Sequence, residues 1–266
     1  SNMQFFMSAL VQHVEYLLDQ VEYDLSNNHV IANAKAIAWT GLLLPQQVGS
    51  GRWQKTGLTI LWDALRNQVR DDGGHVENSP YYHLTVLVDC LETALLCTVT
   101  GVAVPEDVSV KLGAMWRFLL ALQRPDNKLP LTNDGIADEP LSMAACTLLV
   151  KMWNAQQPSQ LMTEIPDRCS IALPDTGYAV LRAKSAAKET YLFFDAGELG
   201  PRYCPGHGHA DLLSIELWYG TQPLIIDPGT YQYAAGQWRE YFRSTKAHST
   251  ATVDNLDQVE FAGPFR

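Results

Sequence analysis

The chain has 266 residues, is nearly half apolar (47%) and carries a formal net charge of −10. It is therefore globular, with material for one large or two ordinary cores, and without the basic footprint that nucleic-acid binding needs. Five cysteines, an odd number without paired CxxC spacing, read as reduced thiols, and any anionic substrate must be met by local basic groups.

Ser1-Asn2 ahead of Met3 has the look of a cloning scar, and the chain stops at Gly263-Pro264-Phe265-Arg266 within a strand-rich stretch. The expectation is an excised piece, whose compartment stays open; a bacterial periplasmic or secreted parent is expected. No apolar run is read as reaching membrane-spanning length, no charged leader precedes an apolar stretch, and no membrane partner is expected.

From about Phe5 to Trp153 apolar residues recur every three or four positions, as in Leu10, His13, Val14, Leu17, Leu18 and Val21, the stripe of an amphipathic helix on which His13 reads as structural. Further helices are predicted over about Val30 to Leu44, Trp53 to Val69, Tyr81 to Val99, Val108 to Leu122 and Leu141 to Trp153. Cys90 and Cys97 fall on one face of the fourth, as small core residues. Gly49-Ser50-Gly51, Asp72-Gly73-Gly74, Gly101 with Pro105, and Pro125-Asp126-Asn127 separate them. Short connections point to antiparallel helical hairpins, as in a bundle or part of an α/α toroid.

After Pro166 the period changes. Gly177 to Arg182, Thr190 to Asp195, Leu212 to Tyr219 and Leu224 to Asp227 are short, β-branched or aromatic, and bounded by Gly or Pro, which reads as antiparallel strands. The chain divides into a helical domain, residues 1–160, and a sheet domain, residues 161–266.

The Cys204–Asp211 run, Asp227-Pro-Gly-Thr-Tyr231 and Ala247-His248-Ser-Thr250 together supply three imidazoles and two carboxylates: His207, His209, Asp211, Asp227 and His248. If 204–211 is extended, His207 and His209 project from one side and address a common point; a twisted loop would send them to different neighbours. His209, Asp227 and His248, spaced to arrive from different segments, suit zinc or another borderline divalent ion. The competing local reading has Asp227 capping the Pro228-Gly229 turn and the histidines hydrogen-bonding locally. The HxHxD run also resembles, in part, the metallo-β-lactamase hydrolases, which continue with a histidine where this chain has Leu212.

In the helical half, Ser26-Asn27-Asn28-His29 stands where a helix starts, so one of the first three serves as its cap. Ser79-Pro80 explains another helix start. It does not explain Glu77, Tyr82 and His83 beside it. Tyr231, Tyr233 and Trp238 could stack on sugar rings, although aromatic residues near strands are more often core.

Asn27-Asn28-His29, the Asp-Gly-Gly-His-x-Glu-x-Ser-Pro-x-Tyr-His run from Asp72 to His83, Gly-His-Gly-His-Ala-Asp, Asp-Pro-Gly-Thr-Tyr, Phe-Arg-Ser-Thr-x-Ala-His and Val-Asp-x-x-Asp-Gln together resemble the heparinase II/III-like polysaccharide lyases, from about Ser26 to Arg266. The resemblance implies an incomplete α/α toroid joined to an antiparallel β-sandwich, truncated at both ends, with an anionic polysaccharide in the cleft between. It implies β-elimination at a uronic acid: the C5 proton is removed and the C4 glycosidic oxygen leaves, without water. Carried over, Asn28 neutralises the uronate carboxylate, with His29 as helper. Tyr82 is the general acid, and the base in syn elimination. His207 is the base on the opposite face or a further neutraliser. His209, Asp227 and His248 bind the metal, zinc, as an organising ion. Apart from the resemblance, Glu77 reads either as orienting one of these groups or meeting substrate, or as a solvated carboxylate near a helix N-terminus. Arg202, Arg239 and Arg243 are the candidates to meet substrate and to favour the Tyr82 phenolate, since a phenol of pKa about 10 is a poor base at neutral pH. Two other readings compete: a metal-dependent hydrolase using the HxHxD run, and a noncatalytic glycan-binding module. Asp211 is left without a role.

Overall fold

The computed structural model describes residues 2–137, 141–156, 169–185 and 188–265. Six helices come first: α1 (Asn2–Asp19), α2 (Asn28–Leu43), α3 (Ser50–Gln68), α4 (Pro80–Val99), α5 (Glu106–Leu122) and α6 (Met143–Gln156). Five strands follow, β1 (Ile171–Leu173), β2 (Tyr178–Lys184), β3 (Glu189–Asp195), β4 (Ile215–Tyr219) and β5 (Gln222–Ile225), and then a short helix, α7 (Gln237–Arg243). The strands form one antiparallel meander in the order β1-β2-β3-β4-β5. Among the described residues this is a single sheet, one layer of the expected sandwich. The expected boundary at 160/161 lies outside the described residues.

Local chemistry explains where the helices start and how closely they pack. Asn27 is the cap of α2: its backbone is extended and its side-chain oxygen accepts the His29 amide at 3.0 Å. Pro80 opens α4, where a missing amide costs nothing. Helices α2 and α3 approach backbone to backbone. A Cβ at Gly57 would lie 2.3 Å from the Ala38 amide, and one at Gly41 2.3 Å from the Gln54 amide.

One continuous apolar core joins helices and sheet, running from Leu61, Leu87 and Leu119 to Tyr178, Val180, Tyr191, Phe193 and Trp218. Strand residues on one face alternate into it. The sheet also satisfies carbonyls that the end of α5 leaves free. The Tyr191 hydroxyl donates to Leu122 O (2.7 Å), and the Arg182 guanidinium donates to Ala121 O (3.1 Å) and Gln123 O (2.6 Å).

The loop between α3 and α4 is pinned from within. The His75 amide donates to His83 Nδ1 (3.2 Å), so the proton of His83 is on Nε2, which donates to Met115 O (3.0 Å); the ring stacks on Phe118. His75 Nε2 meets Gln68 Oε1 at 3.0 Å. Burial pushes the His75 and His83 imidazoles down to about 4 and about 3.

Several expectations change. His13 is exposed, because α1 buries only a narrow stripe around Val14. By length and composition α4 is apolar enough to cross a membrane, contrary to the sequence reading, but it lies among α2, α5 and α6 as a core helix. Strand β4 begins at Ile215, not Leu212, because 211–214 is a turn in which Leu213 has a φ of 64° and the Ser214 amide donates back to Asp211 O. Neither β1 nor α7 was anticipated. All five cysteines are free, with Cys90 and Cys97 buried as expected.

Two outcomes follow from this packing. Gly57→Ala should destabilise the chain by about 1–3 kcal/mol through overpacking of α2 on α3, read by urea unfolding; an unchanged midpoint would contradict the contact. The folded pKa values of His75 and His83 lie below the unfolded 6.5, so protonation favours the unfolded state. Stability should be insensitive to these rings above pH 6.5 and fall as the pH drops from there toward 4, by up to about 1.4 kcal/mol per pH unit for each ring. Imidazole NMR should show both rings neutral at pH 5, and a His83 resonance titrating near 6.5 would refute this.

Candidate functional site

Segments distant in sequence meet where the N-termini of α2 and α4 face the β3–β4 connection. Asn28 is the first residue of α2, and its side-chain amide donates to both oxygens of Glu77, at 3.1 and 3.3 Å. Glu77, buried in the turn before α4, has His207 Nε2 3.4 Å away and His75 Nδ1 3.5 Å away. Burial alone would raise the Glu77 carboxyl, but His207, His75 and the Asn28 amide outweigh it and hold it below its usual value. Tyr82, in the first turn of α4, stacks on the His207 ring with centroids 3.7 Å apart. Asn28, Glu77, Tyr82 and His207 thus form one contiguous cluster.

The 204–211 segment is a turn rather than a strand. Pro205, Gly206 and Gly208 break the extended pattern, and a Cβ at Gly208 would sit 2.1 Å from Leu199 O. His207 and His209 consequently share one anchor, the Asp134 carboxylate, while their other nitrogens face different sides. His207 presents Nδ1 to Asp134 Oδ2 (2.9 Å) and Nε2 to Glu77, while His209 presents Nε2 to Asp134 Oδ1 (2.9 Å) and turns its other face toward His248. Burial would lower the His207 pKa, but its bonds to Asp134 and Glu77 and their charges raise it to about 9.

Asp134 escaped the sequence reading. It sits in the connection between α5 and α6, is fully buried, and meets His207, His209, Thr230 Oγ1 (2.6 Å) and both terminal nitrogens of Arg239. Burial opposes its charge, yet these bonds hold the carboxyl far below the usual range. The available signal was an Asn-Asp-Gly run, Asn133 to Gly135, within a long connection between helices.

Arg239 and Arg243 are not placed to meet substrate. Both are buried on α7: Arg239 is paired with Asp134, and Arg243 donates to Gly208 O at 3.0 and 3.1 Å. They brace the 204–209 turn instead. Arg202 is 90% exposed and pairs with Glu198. None of these three arginines pairs with Tyr82. Burial first, then Tyr233, Asp134 and Glu77, push Tyr82 well above the ordinary tyrosine value, so it rests as a phenol. His29 also departs from expectation, pointing outward to Glu22 (3.1 Å) and away from Glu77. Tyr231 and Trp238 stand exposed in edge-to-face contact rather than in the core, and the Tyr233 hydroxyl, which neighbours Tyr82, donates to Asp134 O at 3.4 Å.

Of the expected metal ligands the structure brings His209 and His248 together, with Asp211 beside them and Asp227 on the far side of His248. Among the described residues His209, Asp211 and His248 form the group that could hold an ion, with ligand atoms within 4.8 Å of one another. His209 Nδ1 and His248 Nε2 are buried and have no hydrogen-bond partner, which fits nitrogen ligands aimed at a cation. Both Asp227 oxygens are engaged elsewhere: Oδ2 with His248 Nδ1 at 2.7 Å and Oδ1 with the Gly229 amide at 2.8 Å. Asp227 thus caps the Pro228-Gly229 turn and orients His248, while Asp211, whose Oδ2 accepts from Thr132 Oγ1 (3.0 Å) and the Asn133 amide (3.2 Å), groups with the two free nitrogens.

The chain is 25% identical over 269 residues to the heparin-sulfate lyase of Pedobacter heparinus, covering 96% of this chain and 40% of that protein. It is 24% identical over 289 residues to the heparin-sulfate lyase of Bacteroides thetaiotaomicron, covering 97% and 41%. The chain spans about two fifths of the length of the curated relatives it matches. In fold it resembles a crystal structure of heparinase III, with a TM-score of 0.81 at 22% identity over 96% of this chain and 43% of that one. The heparan sulfate lyase HepC from Pedobacter heparinus gives a TM-score of 0.72 at 23% identity, over 96% and 41%. Residues 1–160 match the family described as Heparinase II/III N-terminus and residues 165–266 that described as Heparinase II/III-like, C-terminal; the chain belongs to the heparinase II/III family.

Proposed function

We propose that the chain carries the catalytic cluster of a polysaccharide lyase that cleaves a uronic-acid-containing glycan by β-elimination. One observation carries this reading: Asn28 and His207, from opposite halves of the chain, both direct hydrogen-bonding nitrogens at a single carboxylate, with Tyr82 stacked beside them. In the resting chain that carboxylate belongs to Glu77. A uronate carboxylate taking up the same donors would have its charge neutralised, which is the condition for acidifying the neighbouring C5–H.

Tyr82, held as a phenol, is suited to give its proton to the departing C4 oxygen. Its other assigned duty, as base in syn elimination, needs prior loss of that proton. His207, kept protonated by Asp134 and Glu77, would serve the uronate carboxylate as it stands, when Tyr82 is the base; to take the C5 proton on the opposite face it must first give up the proton on Nε2, the configuration at C5 deciding between the two routes. Exposed Tyr231 and Trp238 offer faces on which sugar rings could stack. The relatives are heparin-sulfate lyases, so heparan sulfate is the first substrate to try, with alginate and bacterial exopolysaccharides beside it.

His209, Asp211 and His248 would hold the metal, and two imidazoles with a carboxylate suit zinc. When bound it would fix the turn that carries His207. Neither competing reading is favoured: beyond the shared Asp134, His207 faces Glu77 and stands outside the His209–Asp211–His248 group, against the hydrolase reading, and an acid beside a carboxylate-binding pair is more than recognition needs.

Incubation with these glycans should generate the near-ultraviolet absorbance of an unsaturated uronate, and saturated products or none would sink the proposal. Tyr82→Phe should lower kcat by about 10²–10⁴-fold. Asn28→Ala should lower it by about 10²–10³-fold. Both variants should unfold near the wild-type temperature, and an unchanged rate would remove either residue from the chemistry. For the metal, elemental analysis should find one equivalent per chain, lost in His248→Ala, and chelation should lower Tm. A chelator-insensitive Tm with no metal detected would discard the site.

A further inference from the structure

The His207–Glu77 and His209–His248 arrangements share a feature that neither site explains by itself. Each imidazole has two nitrogens, and which of them faces the working side depends on what holds the other. For His207 the held nitrogen is Nδ1 and for His209 it is Nε2, and both are held by one carboxylate, at 2.9 Å each, through its two different oxygens. That leaves His207 Nε2 for the Glu77 carboxylate and His209 Nδ1 facing no protein partner.

The carboxylate is itself fixed. Asp134 is fully buried, Arg239 donates to both of its oxygens, and Thr230 donates to Oδ1. Its backbone neighbour Asn133, at a φ of 61°, accepts the His209 amide at 2.9 Å and donates to Asn78 O at 2.7 Å, one residue from Glu77. The chain therefore aims two rings of different duty from one rigid point.

We propose that Asp134 is a positioning residue, which fixes the direction of the His207 ring toward Asn28 and Tyr82 and, through the same carboxylate, the tautomer and direction of His209 toward Asp211 and His248. The role of His207 in this statement rests on the lyase reading above; the assignment of proton positions does not. A shared carboxylate also couples the two rings, because any shift of Asp134 that reorients His209 reorients His207.

The test uses the full chain. In the wild type, long-range nitrogen–proton NMR of the imidazoles should find a proton on Nδ1 of His207 and on Nε2 of His209; a bare nitrogen at either position overturns the proposal, even if no variant folds. Asp134→Asn keeps the size but replaces one acceptor oxygen by a donor, so one ring must present a lone pair where it now presents a proton. It should change that proton pattern and disturb the His207–Tyr82 stack in a crystal structure. It should also lower kcat on heparan sulfate by about 10–100-fold with KM little changed. A folded Asp134→Asn with the wild-type proton pattern, stack and kcat would show Asp134 to be only a counter-ion for Arg239. If the wild type cleaves no glycan, the lyase reading fails while the proton positions still decide the role of Asp134.

Discussion

A carboxylate out of contact with water must have its charge answered by the protein, since a buried ion left unpaired costs several kcal/mol. Asp134 is answered by two imidazoles, a hydroxyl and a guanidinium, contributed by the 204–211 turn, the segment after β5 and α7. Asp134 itself comes from the helical half. Because its bonds reach into the C-terminal region in several directions, the two halves can meet in only one register. The turn carrying His207, the helix carrying Arg239 and the connection carrying Asp134 become one unit.

The same economy is visible nearby. Asn78 and Asn133 both adopt the left-handed conformation that asparagine tolerates better than most residues. Asn78 O accepts from the Asn133 amide and from the Tyr178 hydroxyl on β2, while its own amide donates to Glu198 O at 2.6 Å. Side chains here do the work that a regular hydrogen-bond ladder does elsewhere. Irregular backbone is what allows Glu77, Asp134 and His207 to converge, and side-chain bonds keep that backbone from being a floppy loop.

This division also explains what the sequence disclosed. Helices α2 to α6 and strands β2 to β4 were legible because their apolar residues follow the period of the element and bury against one core. Helix α7 was not: its seven residues include two arginines that are buried, Arg239 and Arg243, so its inward face reads as polar. Asn28, Tyr82 and His207 could be named from the ordered motifs that resemble one family, but Asp134 could not. A single aspartate in a connection looks like any solvated turn residue, and only the fold reveals that its neighbours are two histidines and an arginine. That Asp211 rather than Asp227 groups with the two free nitrogens has a similar cause. Spacing shows that a carboxylate can arrive, but not whether its oxygens are already spent on a glycine amide and on the far nitrogen of His248.

The turn at Gly208 shows why two histidines so close in sequence can have different duties. In a strand, residues two apart share a face, and both rings would have crowded one ligand. Here the chain turns tightly enough that no side chain fits between it and Leu199, and Arg243 holds the Gly208 carbonyl through two of its nitrogens. The rings separate, one stacking on Tyr82 and the other lying against His248, yet both remain tied to Asp134. A larger residue at 208 would have to push Leu199 aside and would turn the two rings away from their shared carboxylate. The glycine is thus as much a part of the site as the histidines it separates.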